Sequence, residues 1–145
     1  MKRTIIGLVT TGLLALGGSV GLAVPATAAT ADCPLGYSCQ WRDTGYRTGS
    51  VEAGHFSFFE CQYDFSWRTY AGVGGNGGYS VSSVSNKGRY EYAFYYINPG
   101  YQGPSFGLKP GSGDGNLGDS GGNAPAGFND ELLSGAFGSV EYGCK

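Results

Sequence analysis

Twenty-eight glycines and six prolines are spread through this chain of 145 residues. Beyond the N-terminal segment they leave no long stretch in which apolar residues recur at helical spacing. An interior glycine costs a helix about 1 kcal/mol relative to alanine and a proline about 3 kcal/mol, so the core must be carried by strands. The clearest strand runs from Arg89 to Ile97, with Tyr90, Tyr92, Phe94 and Tyr96 on one face and Glu91, Ala93, Tyr95 and Ile97 on the other. It ends at Asn98-Pro99-Gly100, where proline fixes φ and glycine accepts a positive one. Further strands are predicted over 38–42, 55–63, 79–85 and 136–142. Many short strands separated by turn signals predict an all-β Greek-key sandwich or barrel.

The N-terminus reads as an export signal. Lys2 and Arg3 form a basic start, Ile5 to Val24 is apolar and small, and Ala26-Thr27-Ala28 is a small-x-small cleavage site. Glycines within the apolar run and Pro25 at its end argue against a membrane anchor. The expectation is a signal peptide over 1–28 and a single secreted, extracellular domain over 29–145. Without Lys2 and Arg3, the nine cations fall to seven against eleven carboxylates, a formal charge of −4. The remaining cations are scattered, which disfavours nucleic acid as a partner, and no second apolar span points to a membrane.

Cys33, Cys39, Cys61 and Cys144 all lie in the exported part, and an even count in an oxidising compartment reads as two disulfides. A zinc site would show paired short spacings, and these are absent. Three connectivities are open; Cys33 with Cys39 and Cys61 with Cys144 is the preferred one.

A faint internal repeat suggests two similar β modules packed face to face, neither with enough core to stand alone. Cys39-Gln40-Trp41-Arg42-Asp43-Thr44-Gly45-Tyr46 precedes Phe94-Tyr95-Tyr96-Ile97-Asn98-Pro99-Gly100-Tyr101 by 55 positions. In each, an aromatic strand enters a polar turn, then Gly-Tyr, then another glycine, Gly49 or Gly103.

Cys33-Pro34-Leu35-Gly36-Tyr37-Ser38-Cys39 with Trp41, the element from Tyr96 to Gly103, and Asn116-Leu117-Gly118 with Gly127-Phe128-Asn129-Asp130 together resemble the secreted bacterial metalloproteinase inhibitors of βγ-crystallin-like fold. The resemblance spans most of 29–145. It implies a disulfide-braced Greek-key sandwich that acts as a monomer on a secreted peptidase. Calcium-binding crystallin modules carry two acidic or amide residues, two spacers, then Ser or Thr followed by Ser. Here Asn129 and Asp130 lead to Leu133 and Ser134, while Ser82-Ser83 follows Gly78 and Tyr79. Asn129, Asp130 and Ser134 are thus weak calcium candidates, and the expectation is no cofactor.

The pentapeptide Gly118-Asp119-Ser120-Gly121-Gly122 is similar to the nucleophile loop of chymotrypsin-like proteases, with His55 as the one available base. The chain has about half the length that fold needs, and the segment is rich in Gly, Ser, Asp and Asn, where such a string arises by composition. No enzyme is expected. Most of the eleven Tyr, eight Phe and two Trp belong to the core, but the run Tyr90–Tyr96 places rings on both strand faces, so a carbohydrate- or cell-wall-binding or antimicrobial module using exposed rings is the alternative. The leading expectation is a metallopeptidase inhibitor that presents a rigid loop. Its candidates are Glu60, Cys61, Gln62, Tyr63 and Asp64, and the glycine-rich loop after Pro110.

Overall fold

Among the described residues, eight short strands pair into two four-stranded antiparallel sheets. They are β1 (Ser38–Trp41), β2 (His55–Phe58), β3 (Cys61–Gln62), β4 (Ser83–Asn86), β5 (Ala93–Asn98), β6 (Gln102–Leu108), β7 (Gly113–Asp114) and β8 (Ser134–Phe137), with one 3-10 turn at Phe65–Trp67. The computed structural model describes residues 30, 32–50, 54–138 and 144. The expected signal peptide over 1–28 and the end of the strand predicted over 136–142 lie outside the described residues.

One sheet has the order β2-β1-β4-β7 and the other β6-β5-β8-β3. Adding four to each strand number of the first four converts one order into the other. The two modules are therefore real and interlocked: each gives three strands to its own sheet and lends its third strand to its partner's. Neither sheet is complete without the other module, as expected of halves that share one core.

The core lies between the sheets. Phe56, Phe58, Val84, Ala93, Tyr95, Phe106 and Leu108 point inward from the strands, and Phe65, Tyr70, Leu117, Phe128 and Leu132 close it from the connections. Ala93 and Tyr95 are fully buried while Phe94 and Tyr96 face outward, the alternation read from the sequence. The inner face of β1 is polar, and Tyr95 reaches it: its hydroxyl lies 2.7 Å from Ser38 Oγ, which also accepts from Gln40 Nε2 at 2.7 Å. On the outer face of β1, Trp41 packs with Cys39, Cys33 and Tyr46 in a second small cluster.

Disulfides join Cys33 to Cys39 and Cys61 to Cys144, the preferred connectivity. Such crosslinks persist in an oxidising environment.

Several predicted strand limits are corrected. The strand predicted over 89–97 starts at Ala93, because Asn86 Nδ2 donates to Glu91 O and Leu108 O and holds the preceding segment as a bend. The one predicted over 55–63 is two strands in different sheets. Tyr79 has φ +54, outside any strand, so β4 begins at Ser83. β6 and β7 were not anticipated. The glycine-rich loop after Pro110 contains β7 and is held by a buried carboxylate: Asn116 N donates to Asp114 Oδ1 and Ala124 N to Asp114 Oδ2, at 2.9 and 2.7 Å.

Candidate functional site

The segment Glu60–Asp64 crosses the edge of the second sheet. Cys61 and Gln62 form β3, paired with Ala136 and Gly135 of β8 and, among the described residues, with no strand on the other side. The candidate inhibitory loop is thus a short edge strand with its two flanks. Glu60 is exposed, and Cys61 is tied to Cys144. Beyond it, Gly100 N donates to Tyr63 O at 2.9 Å and Gln62 Nε2 to Asp64 O at 2.8 Å. Asp64 caps the 3-10 turn, its Oδ1 accepting from Ser66 N at 2.7 Å, and Phe65 N donates to Leu133 O at 2.7 Å. Phe65 is fully buried. The segment is anchored covalently at one residue and by hydrogen bonds and an apolar plug just after it.

That anchoring turns two rings outward. Trp67 is 68% exposed and Tyr63 43%, stacked with centroids 5.7 Å apart and planes 15° from parallel. Tyr101 stands edge-on to Tyr63 at 6.0 Å, and Tyr96 edge-on to Tyr101 at 6.1 Å. Burial raises the Tyr101 phenol above its ordinary pKa, with a smaller contribution from Tyr63, and burial alone raises that of Tyr96. Of the aromatic run Tyr90–Tyr96, Tyr90 and Tyr92 are exposed, but the longer row passes through Trp67, Tyr63 and Tyr101. The signal for it was present: Asp64-Phe65-Ser66-Trp67 is a capped turn with an apolar anchor, and Tyr101 matches Tyr46 in the repeat.

On the other flank of β3, Leu35, Phe59, Glu60, Arg89, Tyr90 and Phe137 line a groove of about 850 Å³.

The calcium candidates separate. Asn129 Nδ2 donates to Asp130 Oδ2 at 2.7 Å, and Ser82 of the first module donates to Asp130 Oδ1 at 3.1 Å. Ser134 is buried elsewhere, its hydroxyl used by Tyr101 and Asn98. The hydroxyl that meets Asp130 is thus that of Ser82, not that of Ser134. Three oxygen-bearing side chains, Asn129, Asp130 and Ser82, meet at this corner. Among the described residues no group of three or more His, Cys, Asp or Glu side chains could hold a metal ion.

Ser120 and His55 do not form a dyad. Ser120 is exposed in the loop after β7, a loop returned to the β7 edge by the Ala124–Asp114 bond. His55 lies on β2 with its ring 5.3 Å from Trp41. β2 and β7 are opposite edges of one four-stranded sheet, about 14 Å apart at the usual strand spacing.

This architecture has counterparts among solved structures. A structure described as tracing the evolution of the eye lens βγ-crystallin domain fold superposes with a TM-score of 0.54 at 19% identity, over 73% of this chain and 88% of that one. A βγ-crystallin from Ciona intestinalis superposes with a TM-score of 0.50 at 23% identity, over 71% of this chain and all of the other. The fold is that of a βγ-crystallin domain. No protein-family profile matches the chain, and no curated protein does. At these identities the likeness speaks for the βγ-crystallin-like scaffold alone. Among its described residues no helix is long and apolar enough to cross a membrane.

Proposed function

We propose that this protein is a secreted peptidase inhibitor, directed at a metallopeptidase and acting as a monomer by occupying the enzyme's cleft without turnover. One observation carries the reading: β3 is an edge strand, free on one side among the described residues and crosslinked through Cys61. A peptidase cleft takes its substrate as an extended strand, pairing with the main chain and seating alternate side chains in pockets. Cys61–Gln62 offers that shape ready-made, with Glu60 and Tyr63–Asp64 as its flanks, so little ordering entropy opposes binding. Were a bond beside Cys61 cut, the disulfide and the hydrogen bonds at Tyr63 and Asp64 would hold the ends in place. The resemblance of the Cys33–Cys39 and Tyr96–Gly103 elements to metalloproteinase inhibitors supports the enzyme class, and the two disulfides suit the extracellular setting.

The test is a titration of the oxidised protein, starting at Ala29, against a thermolysin-like metallopeptidase, with a serine peptidase as control. Stoichiometric loss of metallopeptidase activity alone is expected. Full activity at excess protein would remove this target class.

A further inference from the structure

We propose that the outer face of the second sheet carries a glycan-binding strip formed by Trp67, Tyr63, Tyr101 and Tyr96, whose ligand is a neutral oligosaccharide of pyranose units. The strip stands independently of the inhibitor reading, although Tyr63 belongs to both surfaces.

The rings are fixed before any ligand arrives. Trp67 ends a 3-10 turn whose first residue, Phe65, is buried, so its side chain is held on the outer side. Tyr63 lies directly over Gly100, where a Cβ would come within 3.1 Å of the ring. Tyr101 is held at φ +63, with its N–H donating to Ser134 Oγ at 3.0 Å. A ligand that stacks here meets rings already ordered.

The chemistry of the strip selects the ligand. Flat ring faces match the C–H face of a pyranose, and the phenol hydroxyls between them match its hydroxyl rim. The Tyr101 hydroxyl is shielded from water, so Tyr101 contributes its ring, and the rings open to a ligand are those of Tyr63 and Trp67. The four side chains carry no charge, and two charged groups close in sequence, Arg68 and Asp64, hydrogen-bond to backbone. Arg68 Nη2 donates to Ser57 O at 2.7 Å, and the Asp64 carboxylate caps the turn. A neutral ligand fits this surface better than an acidic one.

Trp41 is fully buried and Trp67 is exposed, so a surface ligand acts on the emission of Trp67. The experiment titrates the oxidised protein with chito- and cello-oligosaccharides while following tryptophan fluorescence, and measures retention of variants on insoluble chitin and cellulose. A saturable emission change with at least one sugar is expected. Trp67→Ala should bind about tenfold more weakly, the loss of one ring contact, and Trp67→Phe should recover most of the retention. No saturable change with either sugar overturns the proposal. So does Trp67→Ala binding as well as the parent, or Trp67→Phe losing as much as Trp67→Ala. Metallopeptidase inhibition is measured on the same variants. Inhibition lost in Trp67→Ala while sugar retention persists would assign the strip to a protein partner and overturn the glycan; inhibition absent in the parent with sugar binding intact would end only the inhibitor reading.

Discussion

Ser83 and Ser134 make the same pair of hydrogen bonds in the two modules. Ser83 Oγ accepts from Tyr46 N at 3.1 Å and donates to Asp43 O at 2.7 Å; Ser134 Oγ accepts from Tyr101 N at 3.0 Å and donates to Asn98 O at 2.6 Å. Tyr46 and Tyr101 both adopt left-handed φ, +61 and +63, just after Gly45 and Gly100 at +73 and +70. A non-glycine residue held there is strained, and the serine pins each corner. Ser83→Ala and Ser134→Ala each remove two hydrogen bonds and leave a backbone N–H without its partner. Each should lower stability by about 1 to 3 kcal/mol in urea unfolding. A change under about 0.5 kcal/mol in both would show that the tyrosine corners hold themselves.

The two disulfides should differ in weight. Cys61 and Cys144 are separated by 83 positions, Cys33 and Cys39 by 6. In the chain-entropy account the long closure contributes about 4.5 kcal/mol and the short one about 2 kcal/mol. Replacing Cys61 and Cys144 together by serine should therefore lower the unfolding midpoint markedly more than replacing Cys33 and Cys39. Equal losses would mean that the short crosslink acts mainly by holding the packed cluster around Trp41.

The sequence carried the pairing of Cys39–Tyr46 with Phe94–Tyr101, because turn geometry lies in the residues themselves: a glycine at positive φ followed by a tyrosine is visible as letters. The inward and outward faces of β5 were legible for the same reason. β6 was not, since Gln102-Gly103-Pro104-Ser105 is exposed and only Phe106 and Leu108 are buried. β7 is two residues that become a strand through pairing with β4. In the candidate site, Cys61 drew notice to Glu60–Asp64, but strand β3 exists by pairing with β8, 70 or more residues away. Ser82 meeting Asp130 likewise depends on how the modules dock.

Asp114 decides whether the loop after β7 keeps its shape. Its side chain is buried, accepts from Asn116 N and Ala124 N, and leaves no room beside it: a Cβ on Gly122 would collide with Asp114 Oδ2. Asp114→Ala should destabilise by about 1 to 3 kcal/mol, and amide exchange at Asn116 and Ala124 should rise well beyond the change elsewhere. Gly122→Ala should loosen the same loop by displacing the carboxylate. Unchanged exchange at Ala124 in both variants would show that Leu117 alone secures the loop.

Alkaline pH should attack the core through its tyrosines. Burial pushes the Tyr70 phenol up to about 12, opposed by its hydrogen bond with Ser80, and burial raises Tyr95 further still. In the unfolded chain both ionise near 10. Between those values the folded protein keeps protons that the unfolded chain gives up. The stabilisation is therefore complete below pH 10 and is lost as pH rises toward 12 and above. Ultraviolet titration of the eleven tyrosines should show a late fraction that appears only as the near-ultraviolet circular dichroism collapses. Replacing Tyr70 by Phe should reduce that late fraction and soften the alkaline limb, while removing the hydrogen bond to Ser80 lowers stability at neutral pH. A single titration step near 10 with native dichroism retained would place both phenols within reach of water.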